Sequence, residues 1–151
     1  MHSTTLKICK LEEDYPQFNF KPSDNFFWSF KENTIFYVED AKNQFILALH
    51  ELSHALLKHN NFNYDVELIS MERQAWDYAK DIALKYEINI PDQFIQSNLD
   101  SYRNWMHMRS TCINCKAIGV QCSRYSYKCP ACKQTWKVND ARECNLKRYS
   151  K

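Results

Sequence analysis

Phe45-Ile46-Leu47-Ala48-Leu49-His50-Glu51-Leu52-Ser53-His54-Ala55-Leu56-Leu57 is the stretch on which the reading of this chain turns. It spells H-E-x-x-H inside an apolar run. Residues four apart share one face of a helix, so His50 and His54 can bind one zinc ion together. Glu51 then stands beside the metal without being a ligand, placed to take a proton from a zinc-activated water. Two imidazoles and a carboxylate buried in such a helix each need a polar partner, and one metal ion satisfies all three.

A catalytic zinc takes three protein ligands and keeps one position open. Downstream of His54 the acids in range are Asp65, Glu67, Glu72, Asp77 and Asp81. Glu72 fits best. Ala75 and Ala79, three and seven residues on, lie on its own helix face, and small residues there let that helix approach the His50/His54 helix closely.

Outward from this centre, the pattern predicts an α+β body. Phe26-Phe27-Trp28-Ser29-Phe30 and Thr34-Ile35-Phe36-Tyr37-Val38 read as two strands of a hairpin across Lys31-Glu32-Asn33. Asp40 is placed to N-cap a helix from about Ala41 to His59. A second helix runs from Val66 or Ser70 to Tyr86, and Ile88-Asn89-Ile90-Pro91 ends it. A third, from Asp92 to Met108, repeats Phe94, Ile95, Leu99, Tyr102 and Met106 at helical spacing. The first 25 residues show no clear period and read as irregular, with room for a short strand or a helical turn. Together these give a small zincin-like domain, 1–108: an N-terminal hairpin or sheet plus three helices.

After Arg109 the composition changes, and 109–151 reads as a second module. Six of the seven cysteines follow residue 111. Cys112-Ile113-Asn114-Cys115 and Cys129-Pro130-Ala131-Cys132, thirteen residues apart, have the spacing of two knuckles gripping one tetrahedral zinc. Four thiolates leave no open position, so this second zinc would be structural, in a four-cysteine zinc ribbon. Arg124–Lys128 and Gln134–Val138 read as its strands. Cys122 fits the ligand spacing worse, and Cys9 and Cys144 have no role.

The net charge of +2 conceals an asymmetry. Residues 1–102 carry 9 Lys/Arg against 16 Asp/Glu, and residues 103–151 carry 11 against 2. Basic residues interleaved with Tyr125, Tyr127 and Trp136 suit phosphate contact and base stacking, so nucleic acid is one partner expected of the tail. A protein is the other. No run of 18 apolar residues occurs and no secretory signal is evident, which predicts a cytoplasmic protein with no membrane span.

His50-Glu51-x-x-His54, then eighteen residues on Glu72-x-x-Ala75 and Ala79, resembles the ImmA/IrrE-type zinc metallopeptidases. The likeness covers roughly residues 26–95. Ser53 stands where that family usually has glycine, and Leu84-Lys85-Tyr86-Glu87 replaces its Leu-Leu-x-Pro. The resemblance implies zinc on His50, His54 and Glu72 with Glu51 as base and then acid. It further implies hydrolysis of peptide bonds in a regulatory partner, often a transcriptional repressor. In zinc peptidases an outer strand pairs with extended substrate, and Thr34, Ile35, Phe36, Tyr37 and Val38 are the candidates for it. Two other readings compete. SprT-like proteases, which act on DNA-associated proteins, also join H-E-x-x-H to a basic ribbon but use a third histidine; only His59 and His107 follow here. A non-catalytic regulator working through its ribbon is the alternative from outside enzymology.

Overall fold

A computed structural model of the chain describes residues 7–141 and 146–150, so Cys144 lies outside the described residues. The first elements are α1 (Ile8–Asp14), β1 (Asn19–Pro22), β2 (Phe27–Ser29) and β3 (Thr34–Tyr37). The predicted hairpin forms, with Phe27 opposite Phe36 and Ser29 opposite Thr34. Phe27 and Phe36 stack at 4.3 Å, a cross-strand aromatic pair of the kind that fixes register. Helix α1 and strand β1 fall in the first 25 residues, where no more than a short strand or helical turn was expected. Strand β1 pairs in parallel along the other side of β3, giving the order β1-β3-β2.

Helix α2 (Gln44–Leu56) follows and lies against β2 and β3. It starts later than expected. Asp40 is not its N-cap, because Asp40 and Asn43 both take left-handed backbone, with φ of 58° and 60°, in a turn ahead of the helix. Gln44 instead sends its side-chain amide to the Val38 carbonyl at 3.0 Å. Helices α3 (Asp65–Leu84) and α4 (Asp92–Ser110) match their predicted spans to within two residues, apart from the open start of α3. The described chain closes with β4 (Val120–Ser123), β5 (Ser126–Lys128), β6 (Thr135–Val138) and β7 (Arg148–Ser150), all antiparallel in the order β4-β5-β6-β7.

The chain is thus α+β, with four helices and two sheets among the described residues and four clustered cysteines towards the C-terminus. It divides into two compact units, though not at residue 109. One takes the described residues up to Asn60 with Met71–Pro91; the other takes Asn61–Ser70 and the described residues from Asp92 on. The core of the first includes Leu11, Ile35, Ala48, Leu49, Leu52, Ala75 and Ala79, all fully buried.

The second unit is organised round a buried charge pair that local sequence does not reveal. Arg109 Nε donates to Asp65 Oδ2 at 2.9 Å, with both residues 2% exposed. Gln121 Nε2 and the Tyr127 hydroxyl also donate to the Asp65 carboxylate. Arg109 Nη1 and Nη2 each donate once more, to the Asn139 and Arg124 carbonyls at 2.9 and 2.6 Å. A buried pair with its lone pairs and protons this fully used escapes most of the desolvation penalty. It ties the first turn of α3 and the end of α4 to the cysteine module, which is why the boundary falls earlier in the chain than composition suggested.

Candidate metal centres

His50, His54 and Glu72 come together in the first unit. Along α3 the residues Glu72, Ala75, Trp76, Ala79, Ile82 and Ala83 are buried, a stripe at helical spacing that carries Glu72 on the inward face. His50 and His54 are 6% and 7% exposed and Glu72 is 5%. His50 Nε2 lies 2.9 Å from Glu72 Oε2, and His54 Nε2 lies 3.2 Å from Glu72 Oε1. Trp76 stacks on the His50 ring at 4.2 Å and 10°, fixing that imidazole's plane.

Neither His50 Nε2 nor Glu72 Oε2 has a hydrogen-bond partner, although they are 2.9 Å apart. The atoms attract as charges, but they are not aligned as donor and acceptor. Buried polar atoms left in this state are costly unless something else occupies the space they face. Nitrogen and oxygen ligands on a tetrahedral metal at 2.0–2.1 Å sit about 3.3 Å from one another. The observed separations fit such a donor set.

The electrostatics point the same way. Burial pulls His50 down, yet Glu51 and Glu72 beside it outweigh that and push it up to about 9. Burial raises Glu72, while its contacts with His50 and His54 hold its carboxyl well below the usual range. Two acids and two imidazoles in a dry site require a cation, either a proton or a metal.

Glu51 is placed somewhat differently from the expectation. Its Oε1 faces His50 Nδ1 at 3.3 Å, on the side of the ring away from Nε2. His50, Glu51 and His54 still offer ligand-type atoms within 4.8 Å of one another, so they form a group that can hold a metal. Each Nε2 atom nevertheless faces an oxygen of Glu72, which makes Glu72 a candidate donor beside that group.

Strand β3 corrects another expectation. Thr34 to Tyr37 occupy the centre of the sheet, flanked by β1 and β2, and Val38 lies beyond the strand. Its main-chain groups are taken on both sides, so it offers no outer edge to an extended peptide.

In the second unit Cys112, Cys115, Cys129 and Cys132 form a group that can hold a metal. Cys112 Sγ is 3.6 Å from Cys132 Sγ, and Cys115 Sγ is 3.5 Å from Cys129 Sγ. Four sulfurs bonded at 2.3 Å to one tetrahedral ion would be about 3.8 Å apart. Backbone N–H groups face the sulfurs, yet Cys115 is pushed up to about 11, because the Ala117 backbone N–H that lowers it is outweighed by Cys129, burial and the other two thiols. The Asn114 N–H faces Cys112 Sγ at 3.4 Å, and the Cys132 N–H faces Cys129 Sγ at 3.5 Å. Cys132 is lowered to about 6, chiefly by the Gln134 backbone N–H and then by Asn114. Cys122 stands apart, exposed, with its thiol on the Val120 carbonyl.

Tyr127 and Trp136 are buried and stack on each other at 5.7 Å and 7°, so they form the module's core and offer no face to a base. Tyr125, 39% exposed, is the one ring of the three left outside. Among the described residues no helix is long and apolar enough to cross a membrane.

Comparison with protein-family models, with curated proteins and with solved structures finds no match to this chain.

Proposed function

We propose that this chain is a zinc-dependent endopeptidase that hydrolyses peptide bonds of a protein partner. What carries the reading is that His50 Nε2 and His54 Nε2 lie 2.9 and 3.2 Å from the two oxygens of one buried carboxylate, Glu72, while His50 Nε2 and Glu72 Oε2 have no hydrogen-bond partner. Zinc bound there would polarise a carbonyl and lower the pKa of water towards ~7. His50 and His54 supply neutral nitrogen ligands and Glu72 a single negative charge, so the centre stays net positive and favours charge developing on a carbonyl oxygen. The resemblance assigns Glu51 the role of base and then acid; its side chain, 13% exposed and resting on His50 Nδ1, has to turn from that contact towards the metal side to take a proton and return it to the leaving amine. Its contact with His50 Nδ1 also turns Nε2 of that ring inward. The four cysteines hold a second, structural zinc. The resemblance to ImmA/IrrE-type enzymes favours a regulatory substrate, such as a transcriptional repressor. The basic C-terminal module is then the surface that engages an acidic or nucleic-acid-bound partner. The SprT-like reading has less support, since His59 faces Nδ1 of His54 and not the side where the Nε2 atoms face Glu72.

Native mass spectrometry on protein purified without chelator or added metal tests this. We expect two zincs per chain, one in His54→Ala, and two in Glu51→Gln with hydrolysis about 10²-fold or more slower. A single zinc unchanged in His54→Ala overturns the reading and leaves a binding protein organised by its cysteines.

A further inference from the structure

Helix α2 ends in a way that places one more functional residue. Lys58 takes left-handed backbone at φ 58°, just past the C-cap Leu57. The His59 N–H then bonds back to the His54 carbonyl at 3.0 Å, and the Lys58 N–H to the Ala55 carbonyl at 3.1 Å. These are the two bonds of a Schellman turn, whose geometry folds the second residue after the cap onto the residue one turn back in the helix. An apolar pair usually fills that contact. Here it is two imidazoles, with His54 Nδ1 and His59 Nδ1 2.9 Å apart and the ring centroids at 5.1 Å. The far side of His59 is held as well: its Nε2 lies 3.1 Å from Gln74 Oε1, two residues beyond Glu72 on α3. The indole N–H of Trp28 fixes the His59 carbonyl at 3.1 Å.

Proton counting along this row has one solution if His54 offers the Nε2 lone pair to a metal. His54 Nδ1 must then carry a hydrogen and donate it to His59 Nδ1. His59 must carry its own hydrogen on Nε2 and donate to an acceptor. The Gln74 oxygen faces it, as that solution requires. We infer that His59 and Gln74 are positioning residues, an outer pair that fixes the tautomer and ring orientation of His54 so that its Nε2 faces the metal. The inference rests on the zinc reading of His50, His54 and Glu72. Outer partners of metal-bound histidines are more often carboxylates or backbone carbonyls; a neutral histidine backed by an amide does the same work without adding negative charge.

The test is competition titration of zinc against a chromogenic chelator on the full chain, following the site outside the four cysteines. A long-range ¹H–¹⁵N histidine spectrum of the same samples reads the tautomer of His54. His59→Phe keeps a planar ring and removes the acceptor; zinc affinity at that site should fall 10- to 100-fold, with the cysteine site unchanged. His59→Asn puts an amide oxygen near the old Nδ1 position and should recover most of the loss. Gln74→Leu, at an exposed position that leaves the fold undisturbed, should cost several-fold and mix the His54 tautomers. Wild-type affinity in His59→Phe, or no recovery in His59→Asn, overturns the inference while leaving the zinc site standing. A wild-type chain that takes up only the cysteine-bound zinc overturns the underlying reading, and the positioning role with it.

Discussion

The two candidate metal centres gather their donors in opposite ways. Four cysteines come from two tight knuckles and surround the point on all sides. The histidines and Glu72 project from two helices and supply three donors, with Glu51, His59 and Gln74 arranged behind them. The first arrangement is closed and built from backbone turns. The second is incomplete at the metal and carries its complexity in the outer partners. On the proposed reading, that difference would separate a metal that holds a fold from a metal left free to act on something else. The surrounding cores differ to match. The first unit buries Leu11, Ile35, Leu49 and Leu52 in its own right, whereas the core round the cysteines is Cys112, Tyr127, Cys129, Trp136 and Val138, two of them candidate ligands.

Metal removal should therefore break the two units unequally. Structural zinc in small modules contributes about 10–16 kcal/mol of apparent folding free energy. With a strong chelator, backbone amides of β5 and β6 should lose their protection from hydrogen exchange. Those of Leu49 and Leu52 should keep theirs. Equal loss in both units would show that the histidine site is structural too, and the contrast would fail.

The Asp65–Arg109 pair offers the next largest effect. Arg109→Met leaves the Asp65 carboxylate buried without its cation, and breaking a pair in this way costs about 3–5 kcal/mol. Denaturant unfolding should show that loss in the second unit alone. Asp65→Asn combined with Arg109→Met should recover part of it, since no lone charge then remains buried. Zinc uptake by His50, His54 and Glu72 should not change.

Gly119 is the chain's single glycine, and its place in the cysteine module is sterically decided. A Cβ there would sit 2.4 Å from Trp136 Cη2 and 3.2 Å from the Lys128 carbonyl. Trp136 cannot give way, being fully buried with its indole N–H on the Arg109 carbonyl at 2.8 Å. Gly119→Ala should cost about 1–3 kcal/mol by overpacking, read as a lower unfolding midpoint of the second unit.

What the sequence disclosed follows from the range of the interactions. H-E-x-x-H, the two C-x-x-C pairs, the hairpin and the bodies of three helices are local patterns, and all are present. Glu72 was legible through Ala75 and Ala79, because a buried stripe repeats at helical spacing. Strand β1 was legible only as a short strand without a place: Asn19-Phe20-Lys21-Pro22 has no alternation, ends in proline, and pairs in parallel with a strand fifteen residues on. The Asp65–Arg109 pair, 44 residues apart, was hidden because no local pattern links its two members. The turn that brings His59 to His54 lacked its usual signal, since a lysine stands where glycine marks a helix end.

That lysine gives the smallest and sharpest comparison. Three lysines take left-handed backbone at the ends of segments that carry candidate metal donors: Lys58 after α2, Lys116 after the first knuckle and Lys133 after the second. In the knuckles the side chain compensates for the strain, because Lys116 Nζ reaches the Ile113 carbonyl at 3.4 Å and Lys133 Nζ the Pro130 carbonyl at 3.0 Å. No such bond to Lys58 is found among the described residues. A left-handed L-residue costs about 1–2 kcal/mol, and glycine returns part of that gain as unfolded-chain entropy. Lys58→Gly should therefore stabilise the first unit by about 0.5–1 kcal/mol and leave its zinc affinity unchanged, since the His59 N–H to His54 carbonyl bond is kept. Lys133→Gly should be close to neutral, because the exposed bond it loses offsets the strain it relieves. Equal gains at both positions in denaturant unfolding would mean that the lysine-to-carbonyl bonds of the knuckles contribute nothing. The closed centre would then be held by its sulfur ligands and backbone amides alone.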